Sequence, residues 1–267
     1  MPRSPQDRSQ SRRSWRAAVL FLGCAAAVAI AAPVAAQVVV GAGSSVDLGT
    51  GTLSAGCGDL QVAGTLQLTQ GQAQGVRAVS ITAGGVLDGG SGNLSWSGDW
   101  TDLGQLQAGT SSAAWVDGCG VTSATANAAS EQFHALALST ATGREIRFTS
   151  GQTTAVATAF SASGAPGNLL RIRSTTPGAA AFLAVAPGAT QSLAAIDVAD
   201  NHATGQPLGF PGPASNYGSL KGSNSNGWFE LAAVVAIPAL SALGLALLAV
   251  ALAGLAWRRL AFLRRTS

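Results

Sequence analysis

Two long apolar runs enclose a chain that elsewhere alternates short apolar and polar segments. Ala17–Ala36 and Leu231–Trp257 carry no charged side chain, whereas the region between them breaks into short runs bounded by glycine. Short runs rich in Val, Ile and Thr, separated by glycine-containing turns, indicate strands rather than helices. The hydrophobic pattern therefore predicts two apolar terminal segments and an all-β region between them.

The predicted strands recur with a regular spacing. In the second half of the region, the apolar centres Ile146, Leu170 and Ile196 are 24 and 26 residues apart, and Val156 and Phe182 form a second series with the same spacing. A unit of about 25 residues with two or three short strands is typical of a parallel β-helix or solenoid. The predicted strands are Val38–Val40, Asp59–Val62, Thr65–Leu68, Ala78–Thr82, Asn93–Trp96, Ala113–Val116, Phe133–Leu138, Glu145–Thr149, Val156–Phe160, Leu169–Ser174, Ala181–Val185 and Leu193–Val198.

We therefore predict an all-β solenoid domain over residues 37–230. In such a fold, inward residues of successive coils stack into one continuous core. A jelly-roll or immunoglobulin-like sandwich is the alternative, because strands at regular spacing also suit it. The segment Asn127–Leu138 could form a helix, but Thr125–Ser130 is polar, so we expect a loop that leads into a strand.

The N-terminal apolar run has the features of a secretory signal peptide. Five arginines and one acidic residue precede it. Val34 and Ala36 place small residues at the −3 and −1 positions before Gln37, as signal-peptide cleavage requires. We predict a signal peptide over residues 1–36. An arginine pair upstream half-matches a twin-arginine signal, but general secretion is the route that we expect.

The C-terminal apolar run is long enough to cross a bilayer. A hydrocarbon core of about 30 Å needs about 20 apolar residues in a helix, and Leu231–Trp257 supplies more. Arginines follow it, and cationic side chains favour the cytoplasmic side, so the preceding domain is expected outside. We predict a transmembrane helix within residues 231–257 and a basic cytoplasmic tail over residues 258–267. The stop-transfer residues are Arg258, Arg259, Arg264 and Arg265.

The entry into this helix carries a short motif. The sequence I-P-A-L-S-A-L-G at residues 237–244, followed by an apolar helix and an arginine cluster, resembles the IPTL-CTERM sorting signal of Gram-negative bacteria. Ala239, Ala242 and Leu243 stand where that family favours Thr, Glu and Trp. The resemblance implies processing by an exosortase, a separate membrane protease with a cysteine nucleophile. The residues assigned to the sorting motif are Ile237, Pro238, Ala239, Leu240, Ser241 and Gly244.

The backbone chemistry of the motif suits a processing site. Pro238 lacks an N–H and disfavours helix at Ile237, so the helix is expected to begin near Ala239. An extended peptide would then remain at the outer membrane surface, where a protease can bind it. An ordinary C-terminal anchor with a chance Ile-Pro pair is the alternative.

Charge is unevenly distributed along the chain. The formal net charge is +3, but nine of the 15 basic residues lie in the two ends. Between Gln37 and Ala236 there are six basic and eleven acidic residues. The exported part is therefore mildly acidic, which argues against nucleic-acid binding.

Two cysteines follow the predicted signal peptide. Cys57 and Cys119 each lie in a Gly-Cys-Gly triplet. An exported protein meets an oxidising compartment, and two cysteines allow one intramolecular pairing, so we predict a Cys57–Cys119 disulfide. Two buried free thiols are the alternative.

A second resemblance covers much of the exterior. Ser97–Gly118 looks like the repeated W-T-N-x-G-x-F units of large bacterial surface proteins. Gly164–Pro177 and Ile196–Gly205 resemble the coils that follow in those proteins, and Gly222–Glu230 resembles their closing segment. The likeness implies a right-handed parallel β-helix of adhesin or filament type, with no catalytic residues to carry over.

Few residues are candidates for a catalytic or metal-binding site. Asp197, Asp200 and Asn201 could form a small cluster of oxygen ligands, with Arg171 and Arg173 one coil away on the same face. A salt-bridged ladder on the solvent face is the alternative interpretation. The two histidines are isolated, and no Cys/His set has metal-ligand spacing. We expect no metal and no cofactor.

One tryptophan-rich segment could bind sugar. Asp99 and Asp102 lie beside Trp96 and Trp100, which could stack on a sugar ring or pack into the core. Core packing is the interpretation that we prefer.

Two functions fit these observations. The first is an exported, non-catalytic cell-envelope or surface protein, sorted by an exosortase-type protease, with the membrane and an extracellular polysaccharide as partners. The second is a carbohydrate-active β-helix enzyme, a polysaccharide lyase or glycosidase. The second requires two or more acids that converge on the sugar, and the sequence shows no such set. We therefore predict that the chain is not an enzyme.

Overall fold

Three parallel sheets wind around one core. The computed structural model describes residues 37–209 and 218–230, together with Val250 and Leu252. Two of the sheets have nine strands each and the third has four. Every ladder between the described strands is parallel and joins strands of successive coils. The predicted all-β parallel solenoid is confirmed, and the sandwich alternative is wrong.

The strands are short in the first four coils and longer afterwards. They are β1 (Val38–Val40), β2 (Ser45–Asp47), β3 (Thr52–Ser54), β4 (Leu60–Val62), β5 (Thr65–Gln67), β6 (Gln72–Val76), β7 (Val79–Ile81), β8 (Val86–Asp88), β9 (Asn93–Trp96), β10 (Trp100–Asp102), β11 (Gln105–Gln107), β12 (Ser112–Trp115), β13 (Ser123–Ala128), β14 (Ser130–Ser139), β15 (Arg144–Phe148), β16 (Thr153–Ser163), β17 (Leu170–Ser174), β18 (Ala181–Val185), β19 (Thr190–Ala194), β20 (Ile196–Val198), β21 (Asn201–Gly205) and β22 (Leu220–Lys221).

Each of the first four coils contributes one strand to each sheet. Sheet A has the order β1-β4-β7-β10-β13-β15-β17-β20-β22, and sheet B has the order β2-β5-β8-β11. Sheet C has the order β3-β6-β9-β12-β14-β16-β18-β21, and β19 also pairs with β16. Since neighbouring strands in a sheet lie about 4.8 Å apart, each coil stacks directly on the one before it.

The solenoid changes shape after the fourth coil. Only Ala129 separates β13 from β14, so the chain passes directly from sheet A to sheet C and makes no further sheet B strand. β11 is the last strand of sheet B. The expected loop near Asn127 is therefore wrong at its start. Thr125 and Asn127 lie in β13, because their backbones pair with β15 and β10.

Inward side chains fill the core with little exposure. Leu60, Val79 and Trp100 stack in register in sheet A, each at most 1% exposed. Burial of such a side chain stabilises the fold by roughly 1.5–3 kcal/mol. Part of the core is an aromatic layer, made of Trp96, Trp100, Trp115, Phe133 and Phe148.

The corner between sheets A and B requires glycine. A Cβ atom at Gly85 would overlap the carbonyl oxygen of Val62, and one at Gly104 would overlap the carbonyl oxygen of Gly85. Successive turns therefore approach one another too closely for a side chain. This is why glycine recurs where one coil crosses the next.

Two predicted pairings between successive coils differ from those in the structure. Ile146 pairs with Ile172 rather than Leu170, although all three point inward. Val156 stacks on Val185, whereas Phe182 faces outward.

The predicted strand Leu193–Val198 is two strands. Ala195 adopts a φ of 52° and breaks it between β19 and β20. A non-glycine residue in this left-handed region turns the chain from sheet C to sheet A. Apolar spacing alone could not reveal this corner.

The predicted terminal segments fall outside the described residues. These are the signal peptide over residues 1–36, the sorting motif, the transmembrane helix and the basic tail, apart from Val250 and Leu252, which are helical. Among the residues that the structure describes, no helix has the length and apolarity needed to cross a bilayer. β1 begins at Val38, one residue after the predicted cleavage site.

Candidate functional site

A disulfide ties the first coils together. Cys57 and Cys119 are bonded, and their Cα atoms lie 5.3 Å apart, within the range that a disulfide spans. Both residues have positive φ angles, 68° and 52°. After each sheet C strand, the chain turns a corner to the next sheet A strand. Cys57 lies in the first of these corners, after β3, and Cys119 lies in the fourth, after β12.

The proposed oxygen cluster near the C-terminal end does not form. Asn201 is fully buried, and its Oδ1 accepts a hydrogen bond of 3.2 Å from Trp228 Nε1. Asp200 Oδ1 instead accepts a hydrogen bond of 3.1 Å from Asn224 Nδ2. Asp197 lies on the outer face of β20, because strand alternation points it away from the core. The three side chains therefore do not converge on one point.

The outer face of sheet A carries the nearby arginines, and Arg147 and Arg173 form ion pairs there. Arg171 lies in register between Glu145 and Asp197, on one outer face as predicted. Arg173 Nη2 lies 2.5 Å from Asp197 Oδ2. Arg147 Nε lies 2.5 Å from Glu145 Oε1. Arg147 is about half exposed, and an ion pair at such an exposed position adds little stability, typically about 1 kcal/mol or less.

The tryptophans beside Asp99 are core residues. Trp96 and Trp100 are each 1% exposed, and their ring centroids lie 5.0 Å apart. Neither ring can stack on a sugar from outside. Asp99 Oδ1 accepts a hydrogen bond of 2.8 Å from the Thr125 N–H, which joins two neighbouring coils.

A buried arginine, Arg144, forms hydrogen bonds at the corner beside the disulfide. Arg144 is 1% exposed, and its guanidinium donates to the carbonyl oxygens of Val116 and Ser97, which lie at the two preceding corners between sheets C and A. Burial lowers the pKa of Arg144, and the charge of Asp117 opposes this. Asp117 Oδ2 accepts hydrogen bonds from Thr140 Oγ1 and from nearby backbone N–H groups, so the pKa of Asp117 is lowered despite burial.

Sequence reasoning missed Glu131. It occupies an inward position of β14, two residues before Phe133, and is 5% exposed. Burial and the neighbouring Asp102 carboxylate raise the pKa of Glu131 to about 8, although the Trp100 indole N–H opposes them. That N–H does not meet the geometry of a hydrogen bond. The sequence does carry a signal for this position. Glu131 lies two residues before Phe133, so both point to the same face of a strand, but a loop was expected over this segment.

Glu131 lines an open depression at the end of sheet B. Its volume is about 550 Å³, and Asp102 and the exposed Leu103 lie on its wall. Asp102 Oδ1 accepts a hydrogen bond of 2.7 Å from the Gly104 N–H, which fixes this carboxylate over the turn. The depression therefore brings together two carboxyl groups that are 29 positions apart in the chain.

The titration of Glu131 predicts a pH dependence of stability. Its pKa is higher in the folded state than in the unfolded chain, so folding favours the protonated form. We expect the free energy of unfolding to fall as the pH rises from about 5 to about 8, and Glu131→Gln to remove most of this decline. Urea unfolding in EDTA at a series of pH values measures it.

The control for this pH series is Glu145→Gln, on the outer face. It should leave the decline between pH 5 and pH 8 in place. Asp117 acts in a different window. Its pKa is lowered, so its contribution is lost only as the pH falls below about 4. A flat profile for the unmodified chain between pH 5 and pH 8 would contradict the prediction.

Among the described residues, no group of three or more His, Cys, Asp or Glu side chains lies together as a metal centre would require. His202 Nε2 lies 2.9 Å from Asn224 Oδ1 and belongs to the surface polar network. The carboxyl groups of Glu131 and Asp102 interact directly. Glycosidases instead separate their two carboxyl groups by about 5 Å or more.

The C-terminal end of the chain matches a known signal. Residues 235–265 match the IPTL-CTERM motif. The match contains the predicted sorting motif and all four predicted stop-transfer arginines. No curated protein matches the chain, and no solved structure does. The sequence-based recognition of a sorting signal is confirmed, while the sorting residues themselves lie outside the described part of the chain.

Proposed function

We propose that this chain is an exported cell-envelope protein that an exosortase-type protease processes at its C-terminal signal. The carrying observation is the IPTL-CTERM match at residues 235–265, which directly follows a β-solenoid. Export through a signal peptide over residues 1–36 places the solenoid outside the inner membrane of a Gram-negative cell. The signal then holds the solenoid at the membrane until it is processed.

The solenoid itself acts as a non-catalytic surface domain in this proposal. The side chains that could have formed a carbohydrate-processing centre have structural partners. Arg173 pairs with Asp197, and Asn201 binds Trp228 in the core. The outer face of sheet A instead presents a ladder of charged groups, which suits contact with an extracellular polysaccharide or with other surface proteins. Adhesion or a role in the matrix is the function that such a face supports.

Processing at the signal can be tested in the native host. An immunoblot against the solenoid should show a shorter form in the unmodified strain and the full-length form in a strain without its exosortase. Pro238→Leu should extend the helix through the recognition peptide, because it restores an N–H and removes the restraint on Ile237. We expect the full-length form to accumulate while the protein remains in the membrane.

The control variant is Ala249→Leu, which raises the apolarity of the same segment outside the motif. It should be processed like the unmodified chain. Replacement of the four arginines by serine should instead disturb membrane retention and orientation, because each costs roughly 2.5–3.5 kcal/mol at the bilayer centre. Equal amounts of the full-length form with and without the exosortase would reject the sorting proposal and leave an ordinary anchor.

A further inference from the structure

The first coil of the solenoid leaves its strand edges open. β1, β2 and β3 are the outermost strands of sheets A, B and C, and each pairs on one side only, with β4, β5 and β6. No other described strand lies on their free side. Such an edge presents unpaired N–H and C=O groups that can bond to a strand of another chain. The first coil is therefore a hydrogen-bonding surface at one end of the solenoid.

The apolar core is also open at this end. Val46 points inward in register with Leu66, yet Val46 is 40% exposed whereas Leu66 is fully buried. Leu53 is partly exposed, whereas Ala73, its partner in the second coil, is buried. Asp47 carries the only charged side chain among residues 37–58, so little repulsion opposes contact with a second such end. A solenoid end of this kind needs a cap, because its core otherwise remains in water.

The rest of the exported chain begins at the opposite end of the solenoid. Cleavage of the signal peptide, which this inference takes from the proposed function, leaves only Gln37 ahead of β1. Residues 210–217 connect β21 to β22, and the segment that leads to the membrane follows β22. Trp228 and Phe229 are buried at that opposite end, so the core is not open there as it is at Val46. The cap of the first coil must therefore come from another chain.

Strand alternation fixes which backbone groups face the free side. The Val38 N–H and the Val40 carbonyl oxygen bond to the second coil, so the N–H and C=O of Val39, between them, point to the free side. The same alternation in β2 and β3 directs two residues of each strand to the free side. The five residues with free-side backbone groups are Val39, Ser45, Asp47, Thr52 and Ser54.

The first coil of a second copy offers the matching groups. A half-turn about an axis through Val39 sets β1 antiparallel to β1 of the copy, and it sets β2 against β3 of the copy. Val39 then exchanges two hydrogen bonds with Val39 of the copy, as a hydrogen-bonded antiparallel pair does. The three strands are each three residues long, so none overhangs its partner. Contacts with two-fold symmetry are the commonest kind between identical chains.

β2 and β3 match each other in number and in register. Each has two free-side residues, so Ser45 pairs with Ser54 of the copy, and Asp47 pairs with Thr52 of the copy. Residues directly opposite in an antiparallel pair share a face. The central inward residues of β2 and β3, which are apolar and partly exposed in one copy, therefore bury each other in the pair.

Other arrangements match fewer groups. A half-turn centred on β2 or on β3 sets β1, which has one free-side residue, against a strand that has two. Head-to-tail stacking brings together two different ends, because β11 is the last strand of sheet B and the final coils have strands in sheets A and C only. A single extended peptide covers one of the three edges and leaves the other two in water.

We propose that the exported chain forms a two-fold symmetric dimer in which the first coils of two copies stack end to end. The three open edges and the open core of one copy cap those of the other. The contact lies at the end of the solenoid away from the signal at residues 235–265, so it does not depend on processing there. Both the anchored and the processed form expose the same first coil.

Light scattering of the detergent-solubilised full chain, with the detergent mass subtracted, tests the dimer. We expect the unmodified chain, shown by mass spectrometry to begin at Gln37, to have twice the mass of one copy. Val39→Pro removes the free-side N–H and leaves the bonds of Val38 and Val40 to the second coil in place, so it should halve the mass. Val39→Thr keeps this N–H and should remain a dimer. Circular dichroism should be the same for all three.

A cross-linking experiment tests the position of the contact. Hydrogen-bonded antiparallel partners have Cα atoms about 5.5 Å apart, so Val39→Cys should be joined to a second copy by a short bifunctional thiol reagent. The matched control is Gln61→Cys, because Gln61 is in register with Val39 one coil further on. It should give no cross-linked dimer.

Three results would overturn the proposal. The first is a monomeric unmodified chain, or an exported chain that retains residues 1–36. The second is a dimer that persists in Val39→Pro, since association through the C-terminal segment would survive that change. The third is equal cross-linking of Val39→Cys and Gln61→Cys. None of these results bears on processing at the C-terminal signal, which the immunoblot reports separately.

Discussion

Cys57→Ser is expected to lower the free energy of unfolding by about 4 kcal/mol. The disulfide closes a segment with a sequence separation of 62 residues, and the loop-entropy model gives this value for a closed loop of that length. The bond also crosses two intermediate corners of the solenoid, so it restrains four coils together. Urea unfolding of the full chain, followed by circular dichroism with and without reductant, measures the loss.

Comparison of single and double variants separates the bond from the side chains. Cys119→Ser should cost the same as Cys57→Ser, and the double variant should cost no more than either, because one bond is removed in all three. Hydrogen exchange should locate the loss in the coils before β13, since each coil of a solenoid contacts only its neighbours. An unfolding midpoint that does not change on reduction would contradict this expectation.

Trp96→Ala is expected to destabilise the chain by about 3–5 kcal/mol, the usual cost of truncating a buried aromatic residue. Trp96 is 1% exposed and lies between Trp100 and Trp115, with ring centroids at 5.0 and 5.2 Å. Both of those rings belong to the coil that follows Trp96, so the void would interrupt the aromatic layer along the solenoid axis. Denaturant unfolding followed by circular dichroism measures the loss without dependence on tryptophan emission.

The control for this void is a large apolar residue on the surface. Leu103 is 71% exposed, and Leu103→Ala should change the free energy of unfolding by about 0.5 kcal/mol or less. Trp96→Phe should cost less than Trp96→Ala, because the phenyl ring refills part of the space. A loss below about 1 kcal/mol for Trp96→Ala would mean that the layer collapses to fill the void.

The short strands of the first four coils explain why the disulfide and the aromatic layer matter for stability. Strands in the first four coils are mostly three residues long, so each contributes few backbone hydrogen bonds. The disulfide and the aromatic layer supply restraints that act across several coils. The disulfide joins the first coil to the fourth, and the aromatic layer extends from β9 to β15.

Local pattern predicted the class of fold. Alternating apolar residues and recurrent glycine indicate short stacked strands, because strand side chains alternate between core and solvent and tight turns require glycine. The paired Gly-Cys-Gly triplets likewise pointed to the disulfide. The C-terminal signal was also legible from sequence, because Pro238, the apolar run and the arginine cluster follow one another directly in the chain.

Register and the meeting of distant residues were decided by the tertiary structure. In sheet A, paired residues are from 19 positions apart, at Leu60 and Val79, to 26 apart, at Ile146 and Ile172. In sheet C, Val156 and Val185 are 29 apart, so a fixed period misplaced Leu170 and Phe182. Whether a strand of sheet B forms depends on how the chain turns at Ala129. That turn buries Glu131 beside Asp102, because a side chain on one coil becomes buried only when the neighbouring coils pack against it.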